Sequence, residues 1–380
     1  MGTDLAFLQT PVFIVIFLFL FVSLFLFTHK KGKNISNKLL GFIFLCYGLW
    51  VLDLYAAIFL YEKYPYLAYI FNNLLWIIGP SLLIYTYSVI YKDFRFRKKY
   101  LLHLIPFALS VLISIFTFHV KSIEYKRIYL EHAIGDTSIL KWGSSALILA
   151  HVFTYIIVAF RTIIKYQNIL SNIISNAEKI RLSWLKFMLI GSFVVFFSLI
   201  TVVFNQYFRW EEKMPIELMY IFIFLLLIFI TSTLFKSLKQ PEIFSGINAN
   251  EVRDIPKYAY STLTKEESVK YTEKLTNYME SEKPYLDPNL SITDLAEKLD
   301  FDVKILSRVI NNNLGLRFFD YINKYRIQDA ELLIEKPPDP KMTILEIMYD
   351  VGFNSKSSFN TAFKKFTGKT PSEIKSRAKK

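Results

Sequence analysis

Hydrophobic positions follow two different rules along this chain. In the first 240 residues they come as unbroken apolar runs, at residues 11–28, 39–61, 66–91, 101–118, 142–160, 185–208 and 216–238. Each run is close to the roughly 20 residues that a helix needs to cross a bilayer. The fourth and fifth are the least regular, being short and interrupted by His103 and Pro106 or by His151. No basic stretch precedes the first run and no small-residue cleavage site follows it, so it reads as a retained span and not as a signal peptide.

From residue 264 the apolar residues are spaced at helical intervals instead. Residues 264–282 open on a Thr264/Glu267 capping box and carry Val269, Leu275, Tyr278 and Met279 as an apolar stripe. Two helix-turn-helix patterns follow. The first has helices over 292–299 and 303–314, with Asp300 in the turn, where Asp tolerates positive φ better than most residues, and Asp302 placed to cap the second helix. The second has a helix over 344–350, Gly352 in the turn, and a helix starting behind Asn354 and Ser355. Phe353 bridges that turn, and Phe359, Phe363 and Phe366 mark the buried face of the last helix. Between the patterns, 318–335 reads as a connecting helix that ends at Pro337 and Pro338. The expected fold is all-α: a seven-span bundle over 1–240, a linker over 241–263, a connecting helix over 264–282 and a twin helix-turn-helix domain over 283–380.

The open faces of the two second helices carry the candidate chemistry. Lys304, Ser307, Arg308 and Asn311 line one; Lys356, Ser357, Asn360, Thr361 and Lys364 line the other. Such small polar and cationic groups reach base edges and phosphates from a helix in the major groove. The motifs LAEKL, LSRVI, YINKYRIQDAELLI, ILEIMYDVGF, SFNTAFKKFTG and TPSEI, with Gly315, together resemble the DNA-binding domain of the AraC/XylS family of bacterial transcriptional regulators. Met348 departs from that family's usual alanine, which suggests looser or shifted packing of the second unit's first helix. Lys375 and Ile374 also depart, without bearing on base reading. The resemblance implies that both recognition helices enter successive major-groove segments on one face of the duplex. Lys304, Ser307 and Arg308 would then read one half-site, and Lys356, Ser357, Asn360 and Thr361 the other. GPSLLIYTYS, LLHLIPF, EKIRLSWLKF and LKQPEIF in and around the apolar half are similar to landmarks of a bacterial group that joins a multi-span membrane region to an AraC-type domain.

Composition and charge add orientation. The chain is 53% hydrophobic with a net charge of +13, which suits lipid, nucleic acid or both. With the N-terminus outside, the inner loops 29–38, 92–100 and 161–186 hold 14 Lys and Arg, and the outer segments hold 7. The positive-inside rule therefore places the N-terminus out, and seven crossings place residue 239 onward in the cytoplasm, where DNA is. In the second unit and tail, residues 351–380, 8 Lys and Arg stand against 1 acidic residue. The outer loop 119–141 reads as a connection that could cap a pocket in the bundle. If flexible, the linker spans roughly 25–30 Å root-mean-square, which keeps DNA close to the membrane.

Other chemistries find little support. No G-x-G occurs among the 12 glycines, and no Walker A or H-E-x-x-H sequence is present, so the chain does not read as an enzyme and calls for no cofactor or metal. The single cysteine, Cys46, lies in an apolar run and reads as a packing residue. Asp53, Asn72 and Asn73 sit at membrane depth, where polar groups face a bundle interior. They fit an intramembrane ligand or ion site, or equally interhelical hydrogen bonding that only holds the bundle. The reading is a one-component transcriptional regulator of the bacterial inner membrane. Double-stranded DNA at a promoter or operator, the lipid bilayer, a small ligand or membrane partner, and a second copy in a homodimer are its candidate partners. The alternative is a transporter- or channel-like membrane protein with a DNA-binding regulatory domain.

Overall fold

The computed structural model describes residues 2–29, 34–91, 94–133, 139–175, 182–208, 216–239 and 264–378. The expected linker, 241–263, lies outside them. By its contacts the chain forms two compact units, one of Met1–Ile163 with Ser183–Ala249, the other of Ile164–Leu182 with Asn250–Lys380. The sequence division at 240 assigns 161–186 to the bundle as a loop. Contacts group most of that segment with the C-terminal unit.

Among its described residues the first unit is mainly helical: α1 (Gly2–Thr28), α2 (Asn34–Phe59), α3 (Leu75–Ile90), α4 (Ile105–Ser114), α5 (Ile123–Ala133), most of α6 (Ile139–Leu170), α7 (Ser183–Phe208) and α8 (Ile216–Lys239). Among the described residues, seven stretches are long and apolar enough to cross a membrane: Phe7–Thr28, Ile35–Phe59, Pro65–Ile90, Lys98–His119, Gly143–Leu170, Ser183–Thr201 and Glu217–Lys236. They coincide with the seven apolar runs. The third is the most enclosed, with 56% of its window buried, and the fourth the least, with 6%. Aromatic contacts knit the interior. Tyr47 of α2 stacks on Phe19 of α1 at 5.5 Å and meets Phe229 of α8 edge-on at 6.0 Å, while Trp50 contacts Phe196 and Phe222. Trp184 Nε1 donates to the buried Tyr85 hydroxyl at 2.8 Å, so the indole brings its polar group into the interior already satisfied.

Two parts of this unit depart from regular helix. The third stretch enters through short 3₁₀ turns, Pro65–Leu67 and Asn72–Leu74, with Tyr69 at φ 63° between them. Apolar surroundings demand that such backbone be satisfied internally. Asp53 does so, accepting from the Phe71 amide at 3.1 Å, and the Tyr61 hydroxyl accepts from the Tyr69 amide at 2.9 Å. The 119–141 segment, expected as a connection, instead folds in large part into α5. Tyr129, one turn beyond Tyr125, packs on Phe118 at 5.5 Å and on Tyr69 at 6.4 Å, and this aromatic burial secures the helix.

The second unit contains α9 (Lys265–Glu282), α10 (Ile292–Leu299), α11 (Val303–Arg308), α12 (Phe318–Glu335), α13 (Ile344–Asp350), α14 (Lys356–Thr367) and α15 (Pro371–Ala378). Capping boxes start four of them, at Thr264/Glu267, Ser291/Asp294, Thr343/Glu346 and Thr370/Glu373. Each satisfies backbone amides that a helix start leaves open. On α9 Leu275 and Met279 are the buried residues; Val269, expected on the apolar stripe, is 56% exposed, while its neighbour Ser268 accepts from Asn313 and Tyr271 packs on Phe301. Lys274 closes the far end of α10 by donating to the Leu299 carbonyl at 2.8 Å. The main core joins α12 to α15 through Ile327, Ile334, Ile347, Phe359, Phe363 and Ile374. Met348 is accommodated there at 1% exposure.

Candidate DNA-binding interface

The two helix-turn-helix units solve the same turn in two ways. In the second, α13 ends and Gly352 takes φ 87°. A Cβ there would stand 2.7 Å from the Leu286 carbonyl oxygen and 2.8 Å from that of Tyr285, so both conformation and space require glycine. Ser355 caps α14, accepting from the Ser358 amide. In the first, Asp300 takes φ 54° after α10, and the Asp302 carboxylate accepts from the Lys304 amide at 2.7 Å to start α11. Both aspartates thus do what their side chains suggested.

The helix expected over 303–314 is regular only to Arg308. From Val309 to Asn313 it widens into a π turn, closed by the Leu314 amide on the Val309 carbonyl at 3.1 Å. The wide turn keeps the consecutive Val309 and Ile310 both fully buried, and Gly315 at φ 65° then ends it. As a consequence Asn311 folds back. Its Nδ2 donates to the Ser307 carbonyl at 2.8 Å and lies 3.1 Å from the Ser307 hydroxyl.

On the reading faces, Lys304 is exposed while Ser307, Arg308 and Asn311 are half-buried. Lys356, Ser357, Asn360, Thr361 and Lys364 are all exposed along α14, with the Thr361 hydroxyl donating to the Ser357 carbonyl at 2.7 Å. Among the described residues Arg308 forms no ion pair with Asp300 or Glu297, the internal partners that would have explained it structurally. The neighbouring Lys365 does pair, with Asp320 of α12 at 2.6 Å, and is thereby committed to the fold. Each unit therefore assembles the face that helical spacing suggested, the second more openly than the first.

One residue that holds the domain escaped the sequence reading. Arg326, on α12, is 1% exposed. Its Nε donates to the Tyr285 carbonyl at 2.6 Å and its Nη2 to the Asp287 carbonyl at 2.7 Å, with Asn323 and Ser175 completing the shell. Burial pulls its pKa down to about 10, which leaves it charged at neutral pH. The signal lay in the spacing: Ile322, Arg326 and Ala330 recur every four residues, so the arginine stands on the buried stripe.

In the apolar half, Asp53 is 6% exposed and lies at the 70–71 backbone; Asn72 and Asn73 follow directly in the 3₁₀ turn, half-buried. The three candidates are thus brought into one neighbourhood, with the carboxylate engaged by backbone amides. Among the described residues no group of three His, Cys, Asp or Glu could hold a metal ion.

Residues 285–377 match the family model of a helix-turn-helix domain. Over 87 residues the chain is 32% identical to the Msm operon regulatory protein of Streptococcus mutans, a match covering 23% of this chain and 30% of that protein. Over 89 residues it is 30% identical to the arabinose operon regulatory protein of Escherichia coli, covering 23% and 30%. Of solved structures, the C-terminal domain of AraT, a response regulator from Geobacillus stearothermophilus, is similar at 27% identity, covering 31% of this chain and 88% of that one with a TM-score of 0.26. The chain thus spans under a third of the length of these curated relatives. Residues 285–377 form a helix-turn-helix domain, similar to part of the arabinose operon regulatory protein and of the Msm operon regulatory protein.

Proposed function

We propose that this protein is a one-component transcriptional regulator held in the bacterial inner membrane, binding specific DNA through its two helix-turn-helix units and sensing through, or being anchored by, its seven apolar helices. The observation that carries the reading is the pair of polar helix faces, Lys304 to Asn311, half-buried beyond Lys304, and Lys356 to Lys364, exposed, in a chain whose described residues also include seven helices able to cross a bilayer. The positive-inside count supports an N-terminus outside and a C-terminal domain in the cytoplasm. A separate observation supports an even number of crossings after residue 182. Residues 171–175 bond to residues 290–292, 319 and 326, which supports both lying on one side of any membrane, and two apolar helices, α7 and α8, stand between them in the chain.

Genome-wide mapping of DNA bound by the full-length chain tests the reading, with reporters fused after residue 240 and within 119–141 to test the topology. Enrichment of a discrete set of promoters, with the 240 fusion active only as a cytoplasmic reporter, is the expected result. Absence of enriched sites together with substrate uptake into reconstituted vesicles would favour a transporter instead. The candidate ligand site is tested by Asp53→Asn, which should abolish the response to signal in a protein still inserted and still bound to DNA. A normal response leaves Asp53 with its backbone-capping role alone.

A further inference from the structure

Residues 168–175, which start in the last turn of α6 and run past its end at Leu170, are seated on the DNA-binding domain by a continuous set of contacts. Ile174 pairs with Ser291 in an antiparallel bridge. The Ile292 amide donates to the Ile173 carbonyl at 2.8 Å, and the Ser175 amide to the Leu290 carbonyl at 3.3 Å. Further along, the Phe319 amide donates to the Ser171 carbonyl at 2.9 Å, and Arg317 Nη1 to Asn168 Oδ1 at 3.1 Å. Leu170, Ile173 and Ile174 are buried, and Ser175 is 1% exposed. Its hydroxyl donates to the Leu290 carbonyl at 2.8 Å and lies 3.2 Å from Arg326 Nη2. The segment therefore engages the start of α10, the start of α12 and the one arginine buried in the domain.

The geometry points to a docking surface on the DNA-binding domain, built by Leu290 to Ile292, Arg317, Phe319 and Arg326, whose partner is the chain's own segment 168–175. Three features mark a specific seat. Backbone amides that the ends of α10 and α12 leave open are met by carbonyls of the segment, Ile173 and Ser171. Apolar side chains are removed from water on the same stretch, and the Arg326 guanidinium gains acceptors it needs inside a low-dielectric core. The seat also leaves Lys304, Lys356, Asn360, Thr361 and Lys364 exposed, so docking and DNA binding are compatible. Segment 168–175 begins in the last turn of α6, so a shift of that helix end would reach the starts of α10 and α12 through the seat. This rests on the proposed membrane placement only for its consequence, not for the contact.

Cysteine pairing in the full-length chain, in cell membranes, tests it. The hydrogen bonds flanking Ile174 and Ser291 are those of a non-hydrogen-bonded antiparallel pair, whose Cα atoms stand about 4.5 Å apart, within disulfide reach. In a Cys46→Ala background, Ile174→Cys with Ser291→Cys should give a reducible, faster-migrating species under mild oxidation, and neither single variant should. Because Ser291 also caps α10, a second pair, Asn168→Cys with Arg317→Cys, both exposed, is bridged with a short bis-maleimide. Cross-linking of neither pair above the level in detergent-unfolded protein would overturn the docking. The oxidised chain is then given duplexes that the reduced chain selects from a randomised pool. Undiminished binding is the expected result, and loss of binding would overturn the compatibility with DNA. Should the reduced chain select no duplex, the reading as a DNA-binding protein fails while the cross-link still reports the seat.

Discussion

The two helix-turn-helix units are near copies in sequence pattern and unlike in how they are held. The first turns on Asp300, runs into a π turn after Arg308, and carries the docked segment 168–175 at the start of its leading helix. The second turns on Gly352, has a regular 12-residue recognition helix, and is closed by its own phenylalanine core. Backbone strain is tolerated in the first, where Asp adopts a left-handed conformation at modest cost, and is removed in the second, where the carbonyls of Tyr285 and Leu286 leave no room for a side chain. On the proposed function the units would do separate work: the second presents the more exposed polar face, and the first carries the seat of segment 168–175.

Exchanging the turn residues breaks the comparison most strongly. Gly352→Ala should destabilise the second unit by about 2–5 kcal/mol, from the left-handed φ and from overpacking against two carbonyls. Asp300→Gly, relieving the same conformation without a steric conflict, should be neutral or stabilising by up to about 1 kcal/mol. Protease resistance of the C-terminal unit across a urea series, in the full chain in nanodiscs, measures both. Equal effects would mean that the two turns are held alike.

Next in size are the reading faces. Arg308, in no ion pair among the described residues and able to offer two donors to a guanine edge, should on replacement by Ala cost about 1–3 kcal/mol and relax preference at one position. Lys364→Ala should weaken all sequences alike and reduce the salt slope by about one. Binding to randomised duplexes at several salt concentrations separates the two; uniform weakening by Arg308→Ala with unchanged base preference removes it as a reader. The same assay ranks the amides. Asn311, already folded onto Ser307, should change base preference less on replacement by Ala than the exposed Asn360 does.

The smallest effect is electrostatic. The Glu346 carboxyl is held below its ordinary value, first by the hydrogen bond from the Thr343 amide and then by the Thr343 hydroxyl. A folded-state value below the unfolded one contributes stability above the unfolded pKa, and that contribution is lost as pH falls through the folded value. Acidification below pH about 4.5 should therefore weaken the second unit slightly, and Glu346→Gln should flatten that part of the profile at the cost of a weaker cap at neutral pH. An unchanged acid midpoint in Glu346→Gln would show that the carboxylate adds nothing to the cap.

What the sequence determined by itself is whatever depends on neighbours a few residues away. The seven apolar stretches, the capping box at Thr264, the left-handed positions Asp300 and Gly352 and the two polar faces all follow from spacing, φ preference and side-chain reach within one or two turns. Tertiary structure decided what must be closed over long separations. Arg326 finds Ser175 across 151 residues, and Ser175 finds Leu290 across 115, contacts that no periodicity announces because each partner is an ordinary residue in its own segment. The π turn at Val309 and the helix at Ile123–Ala133 belong to the same class. In each, burial against another element outweighed a local preference worth only a few tenths of a kcal/mol per residue, and only the folded chain brings that other element near.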